Sequence, residues 1–241
     1  MFNPTRTIAA VTIAVASFAG LTSPAAAQSG PTCDGHVATI VGTQDDDTII
    51  GTKGPDVIVA LGGNDIILAE GGDDIICAGQ GDDSVFGGLG SDIIFGQRGN
   101  DSLYAGAPKF DDLEFFEFEV DTSPNFLFGG KGADLIVGAD GNDELRGGNG
   151  HDLLTGRKGD DLVRGGPGND WVDGVEGADT LRGGKGDDIV FVDGADDTRG
   201  GPWANDTCVL VANHTNASIK GCENIETAGP ADLEIILDLR F

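Results

Sequence analysis

Gly87-Gly88-Leu89-Gly90-Ser91-Asp92-Ile93-Ile94-Phe95 is one of fourteen nine-residue units that run in two unbroken blocks of seven, Gly42 to Tyr104 and Gly129 to Phe191. Such a fixed period is the signature of a repeat architecture and is read before any other feature. The sixth position is invariant: Asp47, Asp56, Asp65, Asp74, Asp83, Asp92 and Asp101 in the first block, then Asp134, Asp143, Asp152, Asp161, Asp170, Asp179 and Asp188. The eighth is always Ile, Val or Leu, the first always Gly or Ala, and the fourth always Gly except at Asp45.

Each position has a physical reason. Glycine adopts positive φ without penalty and lets backbones approach closely, so the Gly-rich hexapeptide makes a tight turn with its carbonyls aimed at one spot. The last three residues then form a short strand, of which only the middle one faces inward, and that one alone must be aliphatic. Stacking such turns places Asp beside Asp at roughly the 4.8 Å strand spacing. A carboxylate column of that kind repels itself unless divalent cations sit between successive turns, and oxygen-only ligands suit a hard ion such as calcium. One aliphatic side chain per nine residues offsets only part of the ordering entropy. The sequence therefore predicts that the metal-free chain is unordered and that metal binding supplies folding free energy.

The fourteen units resemble the repeats-in-toxin (RTX), or haemolysin-type calcium-binding, nonapeptides, over about half the chain. The resemblance implies an all-β fold, the parallel β-roll, in which two nonapeptides make one coil. It also implies calcium between the turns of repeats i and i+2, held by the fourteen Asp carboxylates and by turn carbonyls, with about five ions per seven-repeat block. A degenerate unit, Val120 to Phe128, carries Asn125 where Asp is expected.

The rest of the chain divides into four further segments. Residues 1–27, with Arg6, an apolar stretch from Ile8 to Leu21 and Ala25-Ala26-Ala27, match the three-part pattern of a secretory signal peptide. No stretch reaches the roughly 20 apolar residues of a membrane span. Residues 28–41 read as an N-terminal cap, and 42–104 and 129–191 as the two repeat blocks. Residues 105–128 read as an acidic, aromatic insertion and 192–241 as a C-terminal cap. Family members often leave the cell through an uncleaved C-terminal signal, so an N-terminal leader marks a different subset, secreted and extracellular. Four cysteines in a secreted chain read as two disulfides, with three pairings open. Cys208 with Cys222 would staple a C-terminal hairpin, and Cys33 with Cys77 would fasten the N-terminal cap to the coils. Scattered cysteines with only His36, His151 and His214 lack zinc-ligand spacing.

The formal net charge of −27 argues against a nucleic-acid partner. The insertion alternates from Phe116 to Asp121, with Phe116, Phe118 and Val120 opposed to Glu117, Glu119 and Asp121, a strand signal. Glu114 and Glu117 could in principle act as a carboxylate pair. No zinc-protease, nucleophile-elbow or phosphate-loop motif occurs, and no room remains for a separate catalytic domain. The sequence therefore points to a non-enzymatic, calcium-binding repeat protein with a structural, adhesive or ligand-binding role toward an extracellular protein or glycan. The alternative is a secreted hydrolase or accessory module that uses the insertion. Outward seventh and ninth positions are mixed: Thr48, Ile66, Cys77, Phe95, Tyr104, Arg146, Arg164, Trp171 and Arg182.

Overall fold

The computed structural model describes residues 30–106, 120–193, 196–201, 205–211 and 218–228. The leader pattern, most of the acidic arm (107–119) and the tail from 229 lie outside them. Because each unit ends in a strand only a few residues long, consecutive units turn back on each other and alternate between two all-parallel sheets of ten strands. Sheet 1 contains Ile40–Val41, Val57–Gly62, Ile75–Gln80, Ile93–Arg98, Phe126–Lys131, Glu144–Asn149, Leu162–Pro167, Thr180–Lys185, Asp197–Arg199 and Ser218–Lys220. Sheet 2 contains Thr48–Ile50, Ile66–Leu68, Ser84–Phe86, Ser102–Tyr104, Leu135–Val137, Leu153–Lys158, Trp171–Glu176, Ile189–Val192, Thr207–Val211 and Asn224–Ala228. No helix occurs among the described residues, so none there is long and apolar enough to cross a membrane.

Register follows the sequence period. Partners lie two units apart, as in Ile76 with Ile94 and Val163 with Leu181. The eighth positions of both sheets consequently meet in one interior: Ile58, Ile67, Ile76, Val85, Ile94 and Leu103, then Leu127, Ile136, Leu145, Leu154, Val163, Val172, Leu181 and Val190, have no exposed surface. Leu127 belongs to this column. Its strand pairs with Ile93–Arg98 on one side and Glu144–Asn149 on the other, so Val120 to Phe128 supplies the missing half-coil and the two blocks form one continuous roll.

Fourth-position glycines are required by the stacking of the coils. Gly150 has φ +153°, and a Cβ there would stand 1.5 Å from the Gly132 carbonyl oxygen of the coil before. Asp45 escapes this constraint because its strand, Thr48–Ile50, is the edge of sheet 2 with no coil beneath it.

Both disulfides form, between Cys33 and Cys77 and between Cys208 and Cys222, with Cα–Cα separations of 5.7 and 5.8 Å. Their settings differ from the simplest reading of the sequence. The antiparallel ribbon Thr32–Cys33 with His36–Val37 lies on the outer face of sheet 1, where Cys33 packs on Val59 and Cys77. At the other end no hairpin exists between Thr207–Val211 and Ser218–Lys220. They belong to opposite sheets, and the buried Cys208 occupies an eighth position of a coil that continues the roll. Parallel pairing persists as far as Asn224–Ala228.

Candidate metal centre

The strand of each coil begins just after its sixth residue, which places one Asp per half-coil at the mouth of the turn, above its equivalent in the coil before. Each carboxylate divides its work. One oxygen, Oδ1, accepts a hydrogen bond from the backbone N–H of the sixth residue one coil earlier: Asp56 N–H to Asp74 at 2.8 Å, Asp134 to Asp152 at 2.9 Å, Asp161 to Asp179 at 2.8 Å. The pattern runs along both sheets without a gap from Asp47 N–H to Asp188 Oδ1, with Asn125 Oδ1 serving Asp92 N–H at 2.9 Å across the insertion.

The other oxygen is the informative one. Oδ2 of Asp65, Asp74, Asp83, Asp92, Asp101, Asp134, Asp152, Asp161, Asp170, Asp179 and Asp188 is buried and accepts no hydrogen bond. An unpaired buried carboxylate oxygen is costly, so eleven in register call for either a bound cation or a proton. Asp47, Asp56 and Asp143 differ. Thr43 and Thr52 give their N–H and hydroxyl to Oδ2 of Asp47 and Asp56, and Ala139 N–H reaches Oδ2 of Asp143 at 2.7 Å.

The free oxygens converge with turn carbonyls. A Cβ placed on Gly87 would meet Asp92 Oδ2 at 2.3 Å and the Ala105 carbonyl oxygen of the next coil at 2.7 Å; on Gly165 it would meet Asp170 Oδ2 at 2.4 Å and Gly183 O at 2.7 Å. Carboxylate and carbonyl oxygens from successive coils thus face the same small space, with no nitrogen or sulfur among them. That donor set fits calcium, which takes six to eight oxygens in adaptable geometry, better than magnesium, which demands a strict octahedron, or zinc.

Electrostatics point the same way. Burial pushes the carboxyls of Asp92 and Asp161 up to about 8 and those of Asp101, Asp179 and Asp188 up to about 7, with neighbouring carboxylates adding to the effect and the ladder hydrogen bonds opposing it. Without a cation, Asp92 and Asp161 hold protons at neutral pH.

Three parts of the ladder lie outside the fourteen sixth positions. Asp206, eighteen residues after Asp188, accepts its N–H at 3.1 Å and leaves Oδ2 buried and free, and Glu223 in turn serves Asp206 N–H. Asp196 follows Asp179 by seventeen, because one unit is a residue short, and with Asp193 the three carboxylates lie within 4.8 Å of one another. A second ladder runs along the fifth positions in the opposite sense, as in Asn100 N–H to Asp82 Oδ1 at 2.8 Å and Asn169 N–H to His151 Nδ1 at 2.9 Å.

Repeating coils with paired oxygen columns define a metal-stacked parallel β-solenoid. The family model described as the RTX calcium-binding nonapeptide repeat (four copies) matches residues 41–76, 78–107, 121–154, 128–163, 137–172, 146–181 and 164–198, and the chain belongs to that family. It is a calcium-binding repeat protein. No curated protein matches the chain.

Proposed function

We propose that this chain is a secreted, non-enzymatic scaffold whose roll assembles only on calcium outside the cell and then displays two flat faces for adhesion or ligand binding. The observation that carries the reading is the run of buried Oδ2 atoms without donors. In the unfolded chain those carboxylates are hydrated, so the roll gains them as calcium ligands or bears their desolvation. Secretion is supported by the leader pattern of residues 1–27 and by two disulfides, which persist in oxidising compartments.

The ladder also sets the site requirement. The cation must bridge successive coils, so each ion bound lengthens the ordered roll by one contact and binding should be cooperative along the axis. The test is circular dichroism and small-angle scattering of the mature chain during a calcium titration. A steep gain of β signal with compaction is expected, magnesium being much less effective. The same β spectrum and radius in excess chelator at neutral pH would remove the coupling of folding to calcium.

A further inference from the structure

Position nine on sheet 1 changes character along the roll. It begins with Val59 and Cys77 under the N-terminal ribbon, passes through Phe95 and Phe128, and then becomes Arg146, Arg164, Arg182, Arg199 and Lys220. These five are register partners on adjacent strands. At the ~4.8 Å strand spacing they form a straight cationic row about 19 Å long. Five of the chain's fourteen Lys and Arg residues stand in this row, on a protein of net charge −27.

Like charges directly opposite on neighbouring strands are destabilising, and the fold does not ask for them. The ninth positions of sheet 2 at the same level are Val137, Thr155, Asp173, Phe191 and Val209. Only two carboxylates face the row from position seven. Glu144 accepts from Arg146 Nε at 2.8 Å and pairs with Arg164 at 3.4 Å, and Asp197 lies 3.9 Å from Arg199. Arg182 and Lys220 are exposed and have no ion pair among the described residues. With Arg199 they wall a depression of about 340 Å³ floored by glycines such as Gly184 and Gly201, which lets a ligand reach the backbone.

We propose that this row binds an extended anionic polysaccharide bearing one carboxylate per sugar ring. Spacing selects the partner. Phosphates along a DNA strand repeat every ~3.4 Å, and the net charge of the chain repels a polyanion as dense as duplex DNA. Same-face carboxylates of an extended acidic peptide repeat every two residues, ~6.6 Å. An extended pyranose chain advances by about one strand spacing per ring and turns over from ring to ring, so same-face carboxylates recur at about two strand spacings and meet alternate cations in register. The planar guanidinium takes a carboxylate by two parallel hydrogen bonds, which favours Arg over Lys in four of the five places. Phe128, stacked on Phe95 at 5.0 Å and 5.1 Å from the Arg146 guanidinium, closes the row with an apolar edge suited to sugar C–H groups.

The surface exists only on the assembled roll, so the proposal rests on the calcium-folded reading. The probe is a soluble oligogalacturonate added to the mature chain at saturating calcium, followed by calorimetry, with an uncharged cello-oligosaccharide, poly-glutamate and single-stranded DNA as competitors. The parent is expected to bind the uronate alone, more weakly as salt rises. The double variant Arg182→Gln, Lys220→Gln should bind at least tenfold more weakly with an unchanged calcium-induced circular dichroism spectrum, whereas Lys131→Gln, outside the row, should bind as the parent does. Should the double variant fail to fold, the salt dependence of the parent decides: salt-insensitive or absent uronate binding overturns the proposal. Equal binding of the uncharged sugar, or tighter binding of poly-glutamate or DNA, overturns it too. A parent whose spectrum ignores calcium would refute the folding reading, and the binding measurement would still stand by itself.

Discussion

Asp161 separates the two roles of the sixth-position carboxylate. Its Oδ1 accepts the Asp143 N–H at 2.8 Å, while its Oδ2 is buried without a donor. Asp161→Asn keeps the first role and removes the second, since an amide retains one oxygen acceptor and loses the charge. Asp161→Ala removes both and leaves a buried N–H unsatisfied, at a cost of about 1–3 kcal/mol. In the metal-free roll burial pushes the Asp161 carboxyl from 3.8 to about 8. At ~1.4 kcal/mol per pKa unit, the carboxylate then costs the metal-free roll on the order of several kcal/mol near neutral pH. The asparagine should therefore stabilise the metal-free roll and destabilise the calcium-loaded one, a reversal of sign between two buffers. The alanine variant should lie about 1–3 kcal/mol below the asparagine variant in both. Urea unfolding followed by circular dichroism at neutral pH, in calcium and in chelator, measures all four differences, with sucrose added throughout to hold a foldable baseline. If Asp161→Asn destabilises the roll equally in both buffers, the carboxylate serves packing or hydrogen bonding and the metal assignment fails.

Three further outcomes follow from the same geometry. Below their ordinary value of 3.8 the column carboxyls are protonated in both folded and unfolded chains; between 3.8 and about 6 to 8 the metal-free roll still holds protons that the unfolded chain has released. The metal-free roll should thus be most stable in acid and lose β signal as pH rises through that window, calcium restoring it at pH 8; a metal-free spectrum indifferent to pH would contradict this. Gly150→Ala drives a methyl to 1.5 Å from the Gly132 carbonyl oxygen and should abolish the calcium-induced transition, whereas Gly54→Ala at the roll's edge, with nothing within 4 Å, should shift its midpoint little. Replacing residues 107–119 with a short Gly/Ser linker should preserve calcium-induced β structure; the cut must spare Asp121 to Ser123, because Asp140 N–H bonds Asp121 O at 2.8 Å and Asn125 Nδ2 bonds Ser123 O at 3.0 Å. Loss of the transition in that deletion, read by circular dichroism, would make the arm part of the core.

What the sequence disclosed depends on how strictly physics repeats along the chain. Within the two blocks, Asp at six, aliphatic at eight and Gly at four are demanded in every interior coil by burial and stacking, so the period alone conveys the roll, its core and the carboxylate columns. The fifth-position ladder was within reach of the same reading, because nine of fourteen fifth residues are Asp or Asn. It is less conspicuous because an exposed hydrogen bond tolerates Ser91, Ala133 or Pro55 in some coils. Asp196 was hidden by a unit one residue short, which moves the carboxylate off the count while the structure restores its place beside Asp179. The N-terminal ribbon could not be placed by period at all. Its position on the outer face of sheet 1 depends on one disulfide and a small apolar patch, contacts made at long sequence separation.

Asn125 shows why the two metal columns are not equivalent. On sheet 2 the carboxylates run unbroken from Asp47 through Asp101 and Asp134 to Asp188, across the insertion, because that column receives Asp134 directly above Asp101. On sheet 1 the coil reached after the insertion carries Asn125 instead. Its Oδ1 keeps the ladder to Asp92, while its Nδ2 supplies hydrogen bonds to Ser123 O and to Asp143 Oδ1 at 3.1 Å. Asp143, the next carboxylate, has its own Oδ2 met by Ala139 N–H. Here, as at Asp47 and Asp56 where Thr43 and Thr52 donate to Oδ2, the chain meets by hydrogen bonds an oxygen that elsewhere is left without a donor. Asn125 brings no charge to this rung, but the buried Asp121 of the same unit keeps an Oδ2 without a donor and raises the carboxyls of Asp92 and Asp143 beside it. The series of sixth-position carboxylates on sheet 1 is thereby interrupted at Asn125, whereas on sheet 2 it passes the insertion unbroken.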